Sequence, residues 1–385
     1  MKILIWNEGD YLMEDMLTVC EKNQCAGCMA CVDICPRKAI SVVDDSEHIN
    51  AVIDATLCVK CNMCHKVCQE NHPADLRKPQ NWLEGWATEN IRATSSSGGF
   101  GQEIMRAMIR NGGAVAACKL KEGKFIFELF EDESRIPEFI GSKYVKSNPT
   151  GIYQAAKDTL KTGKKVLFIG LPCQVSAMRN YVKDDKNLYT VDLICHGSPS
   201  VKLLHKAISE YGYDLTKIKA IYFRSADKFA IETRPVPIVP KGVQDRYTMA
   251  FLNGLCYTEN CYSCHYAQTE RVGDLTIGDS WGTELSGELS KGVSLALCQT
   301  AKGKEMLDMM DFNFYDVDFN AAIQNNHQLR HPSKLPQERK EFFEDLHRGK
   351  SFRQAVFHAY PKTCFKQSIK ELLIKMKLYS GGGNE

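Results

Sequence analysis

The residues with the clearest chemical capacity are cysteines in two matching runs. The first is Cys25-x2-Cys28-x2-Cys31-x3-Cys35, followed by Pro36, and the second is Cys58-x2-Cys61-x2-Cys64-x3-Cys68. Closely spaced thiolates let one loop wrap three corners of an iron–sulfur cubane and leave the fourth cysteine on the segment that follows. The chain of 385 residues holds 17 cysteines in all. Its start, Met1 to Trp6, meets Asn7, Glu8 and Asp10 too soon for the apolar core of a signal peptide. No apolar run approaches the roughly 18 to 20 residues of a membrane span. The expected setting is cytoplasmic, where disulfides stay reduced, so thiols in this number need another use, and metal binding is the first candidate.

The spacing resembles that of bacterial two-cluster ferredoxins over about residues 20–72. In that family the fourth cysteine of each run reaches across to the other cluster. The resemblance implies Cys25, Cys28, Cys31 and Cys68 for one [4Fe-4S] cluster, and Cys58, Cys61, Cys64 and Cys35 for the other. Ala39–Val43 and Asn50–Asp54 suit the short hairpin between the runs. Zinc is a rival ligand of paired cysteines, but zinc sites seldom need two runs of four at this repeat. Covalent haem is another, because Cys61-x-x-Cys64-His65 and Cys261-x-x-Cys264-His265 match its attachment motif, although that chemistry normally needs an exported chain. Cys20 lies outside the pattern and reads as a packed thiol. Two neighbouring clusters make a one-electron wire without bond chemistry of their own, so the function depends on what the wire reaches.

The elements that must hold these residues divide the chain by charge and pattern. Residues 1–75 contain six Lys or Arg against twelve Asp or Glu, and the remainder contains 43 against 35. The head is therefore acidic within a chain whose formal charge is +2. That near-balance supplies no electrostatic reason to expect a nucleic-acid partner. Prolines 73 and 79 punctuate a boundary. Beyond it, strand patterns at Ala114–Ala117, Lys124–Leu129 and Val166–Ile169 alternate with helical ones at 100–109 and after Pro172, and a further strand ends at Asp192–Cys195. The expected fold is mixed α+β and α/β: a two-cluster ferredoxin-like domain over 1–75, a larger α/β domain over 80–340, and a helical tail over 341–385. Past residue 300 the pattern is helical and polar. In the last stretch, Lys366 to Tyr379, residues Ile369, Leu372, Leu373 and Met376 share a face, which suits a docked terminal helix better than a membrane-surface one.

Eight more cysteines follow the head: Cys118, Cys173, Cys195, Cys256, Cys261, Cys264, Cys298 and Cys364. Cys173 and Cys195 stand at predicted strand ends, in Gly170-Leu171-Pro172-Cys173-Gln174 and Asp192-Leu193-Ile194-Cys195-His196-Gly197, where open α/β sheets gather ligand sites. Cys261-x-x-Cys264 is the third place. Cys118, Cys298 and Cys364 read as ordinary thiols.

In these segments the chain resembles the beta-subunit family of coenzyme F-420-reducing hydrogenase and F-420 dehydrogenases, which includes 7-hydroxymethyl chlorophyll a reductase. The matching stretches are Ser97–Phe100, Lys143-Tyr144-Val145-Lys146-Ser147, Val166 to Gln174, Asp192 to Ser200, Cys261–Cys264, Arg271 to Gly282 and Lys291–Ser294. Leu171 departs from the Thr that precedes Pro-Cys-Gln in many relatives. The resemblance implies an FAD-binding α/β region and a third [4Fe-4S] cluster on Cys173, Cys195, Cys261 and Cys264, with Cys256 as a possible substitute. Buried thiols, or a redox-active Cys173 at a helix N-terminus, are the alternatives. For the flavin, Ser96, Ser97, Gly98 and Gly99 offer backbone donors before a helix. Lys143, Tyr144 and Ser147 are candidates for the adenosine or phosphate end, and Gln174 and His196 for the isoalloxazine. There is no G-x-G-x-x-G fingerprint.

The function this implies is an iron–sulfur flavoprotein oxidoreductase exchanging hydride with a small molecule, F-420-like or another organic substrate, and single electrons with a redox partner protein or ferredoxin. F-420 oxidation sends electrons outward through the clusters, and the chlorophyll branch runs them inward. The acidic head would steer towards a basic partner. The competing class is a non-catalytic electron-transfer adaptor with clusters and no flavin; a zinc-stabilised interaction protein would be colourless.

Overall fold

A computed structural model describes residues 17–378, apart from 184, 226–227, 234–237 and 241. The start of the chain and Tyr379 therefore lie outside the described residues. In the head, each cysteine run turns into a one-turn helix, α1 (Ala30–Ile34) and α2 (Met63–Val67). Between them β1 (Ile40–Asp44) and β2 (Ile49–Ile53) pair antiparallel, from Ile40 opposite Ile53 to Asp44 opposite Ile49. The turn is set by Asp45, whose carboxylate accepts from the backbone N–H of Glu47 and His48.

The body is built on one eight-stranded sheet. Its strands are β3 (Asn81–Ala87), β4 (Ala114–Lys121), β5 (Lys124–Phe130), β6 (Val166–Gly170), β7 (Leu188–Leu193), and, beyond a separate hairpin of β8 (Ile221–Ser225) and β9 (Lys228–Thr233), β10 (Leu275–Asp279), β11 (Ser294–Cys298) and β12 (Phe312–Asp316). Their order across the sheet is β12-β3-β11-β10-β7-β6-β4-β5. The four central strands β4, β6, β7 and β10 run parallel, and antiparallel strands flank them on both sides. The buried run Val166-Leu167-Phe168 of β6 is apolar on both faces because helices cover both.

In chain order the helices of the body are α3 (Glu89–Arg92), α4 (Phe100–Arg110), α5 (Ile152–Lys161), α6 (Pro172–Val182), α7 (Val201–Ser209), α8 (Arg246–Leu252), α9 (Ala301–Asp308), α10 (Phe319–Asn325), α11 (Arg339–His347), α12 (Phe352–Ala359) and α13 (Pro361–Lys375). Helices α4 and α9 pack on one face of the sheet through Ile104, Met108 and Met306. Helices α5 and α6 cover the other through Ala156, Val175 and Met178, and this core continues into the head through Ala30, Ile40 and Ile49. The head thus shares a core with the body, although its composition sets it apart.

Three expectations need correction. The region past 300 contains a strand, β12, which joins the sheet edge by pairing with β3. The strand expected to end at Cys195 stops at Leu193, leaving the cysteine in the following loop. Helix α13 does dock, but through buried Cys364 and through Ser368, both bonded by Arg246, while Ile369, Leu372 and Met376 are exposed.

The segment Ser95–Gly99 is wedged between strands. A Cβ at Gly98 would stand 2.3 Å from the Gly85 carbonyl oxygen and 2.7 Å from the Ser294 nitrogen, both backbone atoms that cannot swing away. Gly98→Ala is expected to lower stability by about 2 kcal/mol or more, visible as a reduced Tm in anaerobic thermal unfolding. An unchanged Tm would show that the wedge relaxes freely.

Candidate metal centres and strand-end site

The two head loops share one backbone path. Gly27 and Lys60 adopt left-handed φ of 67° and 54°, and Met29 and Asn62 follow at 63° and 62°. This winding aims the Gly27 N–H at Cys25 Sγ and the Lys60 N–H at Cys58 Sγ, each at 3.4 Å, and the Ala39 N–H reaches Cys35 Sγ at 3.3 Å. Such donors favour thiolates and the sulfur-rich, negatively charged clusters they bind.

Cys25, Cys28, Cys31 and Cys68 line one cavity, and burial together with their mutual repulsion pushes the thiols of Cys28 and Cys31 up. Cys64 has Cys35 and Cys58 as its charged neighbours, and burial raises it too. Cys31 and Cys64 lie within each other's electrostatic reach. Cys61 is exposed, so the second set opens to solvent and the first is enclosed. Cys20 lines the first cavity as a fifth sulfur. It lies beside Cys25 and Cys68, and the closeness of the three sulfurs raises the Cys20 thiol and draws Cys25 and Cys68 down.

A third set forms at the carboxyl ends of the parallel strands. Cys173 opens α6 just beyond β6, Cys195 follows β7, and a 3-10 turn over Glu259–Ser263 delivers Cys261 and Cys264; all four line one cavity. Burial raises Cys195 to about 12 and Cys264 to about 11, with neighbouring thiols adding to both. Cys256 does not line this cavity: it is fully buried elsewhere in the core, beside Tyr247. Cys28 of the first head set and Cys173 lie within each other's electrostatic reach, and Ala26 and Gln69 line both cavities, so the first and third sets are neighbours.

Lys146, to which the sequence alone assigns no role, stands at that junction. It is buried, its Nζ donates to the Ala26 carbonyl at 3.1 Å, and its charge lowers Cys25, Cys173, Cys195 and Cys264. Tyr153 donates to the Cys28 carbonyl at 2.6 Å, and Tyr266 to Gln69 beside it, also at 2.6 Å. The third set is clamped by a buried ion pair. Arg271 reaches Asp192 Oδ1 at 2.8 Å and the Leu193 carbonyl at 2.8 Å, and its other amino group bonds the Tyr266 carbonyl. One guanidinium thus ties the strand end before Cys195 to the loop after Cys264.

The flavin candidates divide into two groups. Ser96 accepts from the Ser142 N–H at 3.0 Å, which joins the Ser96–Gly99 loop to the Lys143–Tyr144 segment. Helix α4 begins after Gly99 with no side-chain cap, and Gly101 opens onto free space. Tyr144 lies flat on Phe251 with ring centroids 4.3 Å apart. His196 lines the cavity of the third set, bonded at Nδ1 to Gln328, and burial holds it down to about 4, so it is neutral at pH 7. Arg224 is its neighbour, bonded to Asp279 at the end of β10 and placed over the rings of Phe229 (4.9 Å) and Trp281 (5.0 Å). The remaining candidates serve local architecture. Gln174 caps the Leu171 N–H and donates to Ser147 at 3.0 Å, both residues being buried, and Lys143 donates to the carbonyls of Phe139 and Ile140. The haem-like histidines are also engaged, His65 with Asn71 and His265 with Glu70.

Residues 24–72 match the family model of the 4Fe-4S dicluster domain, and residues 163–315 match that of the C terminus of the coenzyme F420 hydrogenase/dehydrogenase beta subunit. The chain joins a dicluster head to an F420 hydrogenase/dehydrogenase beta-subunit domain. Cys173, Cys195, Cys261 and Cys264 all fall within that beta-subunit domain. Among relatives, the chain is 20% identical over 316 residues to the coenzyme F420-dependent sulfite reductase of Methanocaldococcus jannaschii, covering 76% of this chain and 47% of the relative. It therefore spans about half of that protein's length. An uncharacterized protein of the same organism is 22% identical over 251 residues, 54% of this chain and 69% of the relative. A chain of the F420-reducing [NiFe] hydrogenase complex from Methanosarcina barkeri overlays with a TM-score of 0.48 at 18% identity, over 72% of this chain and 96% of that one. The dicluster head and beta-subunit domain together make this an iron–sulfur protein of oxidoreductase type. Among the described residues no helix is long and apolar enough to cross a membrane.

Two substitutions test the geometry. Arg271→Met strands the Asp192 carboxylate in the core and is expected to cost about 3–5 kcal/mol, read as a lower denaturation midpoint; full stability would refute the clamp. Lys146→Met removes the cation shared by two sets. Redox titration followed by EPR is expected to show the potentials of the first head cluster and of any centre on the third set falling on the order of 50 mV. The second head cluster should stay put, and a uniform shift of all centres would count against Lys146 as a local compensating charge.

Proposed function

We propose that this protein is an iron–sulfur flavoprotein oxidoreductase. In this reading Cys25, Cys28, Cys31 and Cys68 hold one [4Fe-4S] cluster, Cys35, Cys58, Cys61 and Cys64 a second, and Cys173, Cys195, Cys261 and Cys264 a third. The observation that carries it is that Cys25, Cys28, Cys31 and Cys68 line one cavity and Cys173, Cys195, Cys261 and Cys264 a neighbouring one, with Ala26 and Gln69 lining both. A wire ending at the carboxyl edge of a parallel sheet ends where such sheets bind cofactors.

FAD, when bound, supplies the exchange between paired electrons carried as hydride and the single electrons of clusters. The residues along the strand-end rim suit it. The uncapped N-terminus of α4 and the hydroxyl of Ser96 can receive a diphosphate, while Ser97 fixes the loop by donating to the Val293 carbonyl at 3.0 Å. Neutral His196 offers a hydrogen bond without a charge, and Arg224 places a cation on the same rim next to Trp281. Buried Gln174 and Ser147 hold the two segments that frame this edge. The small-molecule partner is a hydride donor or acceptor, a deazaflavin of the F420 type or another organic substrate.

The test is anaerobic purification followed by iron, sulfide and flavin analysis. About twelve irons per chain and one acid-releasable flavin are expected. Cys173→Ala should remove about four irons and leave the two head clusters intact by EPR. Reduced F420 oxidation and ferredoxin-driven reduction then decide the direction. Iron and sulfide with no isoalloxazine would leave the electron-transfer adaptor as the correct reading.

A further inference from the structure

The two cysteine loops are the same structure in opposite surroundings. Both carry the left-handed pair described above and the same 3.4 Å N–H···S bond. In the first loop Ala26 and Ala30 are 7% and 0% exposed, covered by Lys146, Tyr153 and the rest of the body. Their counterparts in the second loop are Val59, 59% exposed, and Met63, 39% exposed, with Leu57 beside them at 44%. Small side chains thus occur where the chain covers its own loop, and larger apolar ones where nothing among the described residues covers it. Apolar side chains grouped around an exposed ligand loop mark an interaction surface.

The charges around this face select the partner. The head is acidic in sum, but four of its described acids are engaged by the body. Asp33 accepts from the Gly151 N–H, Asp44 from Ser200, Glu47 from Arg339, and Glu70 faces His265. The bases flank the second set: Arg37 and Lys38 follow Cys35, and Lys60 and Lys66 lie in the second run, all four exposed. None of them forms an ion pair among the described residues. Asp54, bonded to Thr56, is the acid on that loop. The rim is therefore basic, opposite to what the net charge of the head suggests.

We propose that the face formed by Leu57, Val59 and Met63 around Cys61 is the docking site of an acidic one-electron carrier protein, held by Arg37, Lys38, Lys60 and Lys66. This rests on the reading of Cys35, Cys58, Cys61 and Cys64 as cluster ligands. One electron leaves the reduced carrier and reduces that cluster by one. No bond forms or breaks.

The probe is a reduced acidic bacterial-type ferredoxin mixed anaerobically with the oxidised holoprotein in a stopped-flow spectrometer, with dithionite as the small reductant for comparison. Wild type is expected to react faster at low salt than at high salt. Arg37→Glu/Lys66→Glu and, separately, Leu57→Ser should each slow the ferredoxin reaction about tenfold while iron content and reduction by dithionite are unchanged. An equal ferredoxin rate in both variants would overturn the proposal, as would faster reaction with a basic carrier. So would sedimentation showing that a second copy of the chain covers the face. A protein without iron, or one that dithionite cannot reduce, would instead remove the cluster reading on which the proposal rests.

Discussion

The relay depends on one seam, the contact between the Cys25–Cys31 loop and the body. Four thiolates enclosed together repel one another and lose their hydration, and a cluster among them carries further negative charge. The seam answers this with a buried cation. Lys146 sits under Ala26 within reach of sulfurs from the first and third sets. Its own placement is fixed from behind: its N–H donates to the Pro199 carbonyl at 2.8 Å, and adjacent Ser147 is bonded to Gln174 on α6, next to Cys173. The same helix start that presents the Cys173 sulfur thus anchors the charge beside it.

The sheet contributes the second half of the arrangement. Parallel strands end on one edge, so ligands distant in sequence meet there without a long loop. Cys173 and Cys195 reach it from neighbouring strands β6 and β7, and Asp279 from β10 beyond them. The Cys261–Cys264 turn belongs to no strand and has to be tied in. Arg271 does this from the segment leading into β10, where its guanidinium bridges Asp192, Leu193 and Tyr266. An ion pair this buried is weak evidence for stability in itself, and its geometric role is clearer: it holds two halves of a ligand set at one separation.

What could be read from the chain, and what could not, follows from the range of the interactions. The head was legible because a loop around a cubane leaves a short, periodic trace, and the hairpin expected at 39–43 and 50–54 appears at Ile40–Asp44 and Ile49–Ile53. Of the central strands, β4, β6 and the end of β7 were legible as apolar runs, and β10 was not. Strands β3 and β12 were not either, since they are defined by antiparallel pairing across more than 200 residues. Lys146, Arg271 and Arg224 act through partners dozens of residues away or more, which no local pattern announces. Gln174 and Ser147, expected near the isoalloxazine and at the adenosine or phosphate end, bond each other in the folded chain. The apolar stripe of α13 suggested a docked face, but the helix is held through Cys364 and Ser368, because Arg246 offers a buried hydrogen-bonding partner on that side.

The two head centres also differ in how their charge is balanced. Burial alone penalises an added electron, and the first set is the buried one. Against that penalty it has the Gly27 N–H directed at Cys25, the Cys20 thiol in the same cavity and the charge of Lys146 nearby. The second set has backbone donors from Lys60 and Ala39, with water at Cys61. Protein donors in the interior replace what solvent supplies at the surface, so an electron arriving at the outer loop is not barred from the inner one by desolvation. Cys20, which looked incidental beside two perfect runs of four, belongs to those surroundings: it lines the cavity of the first set, and a protonated thiol costs less to bury than a charge.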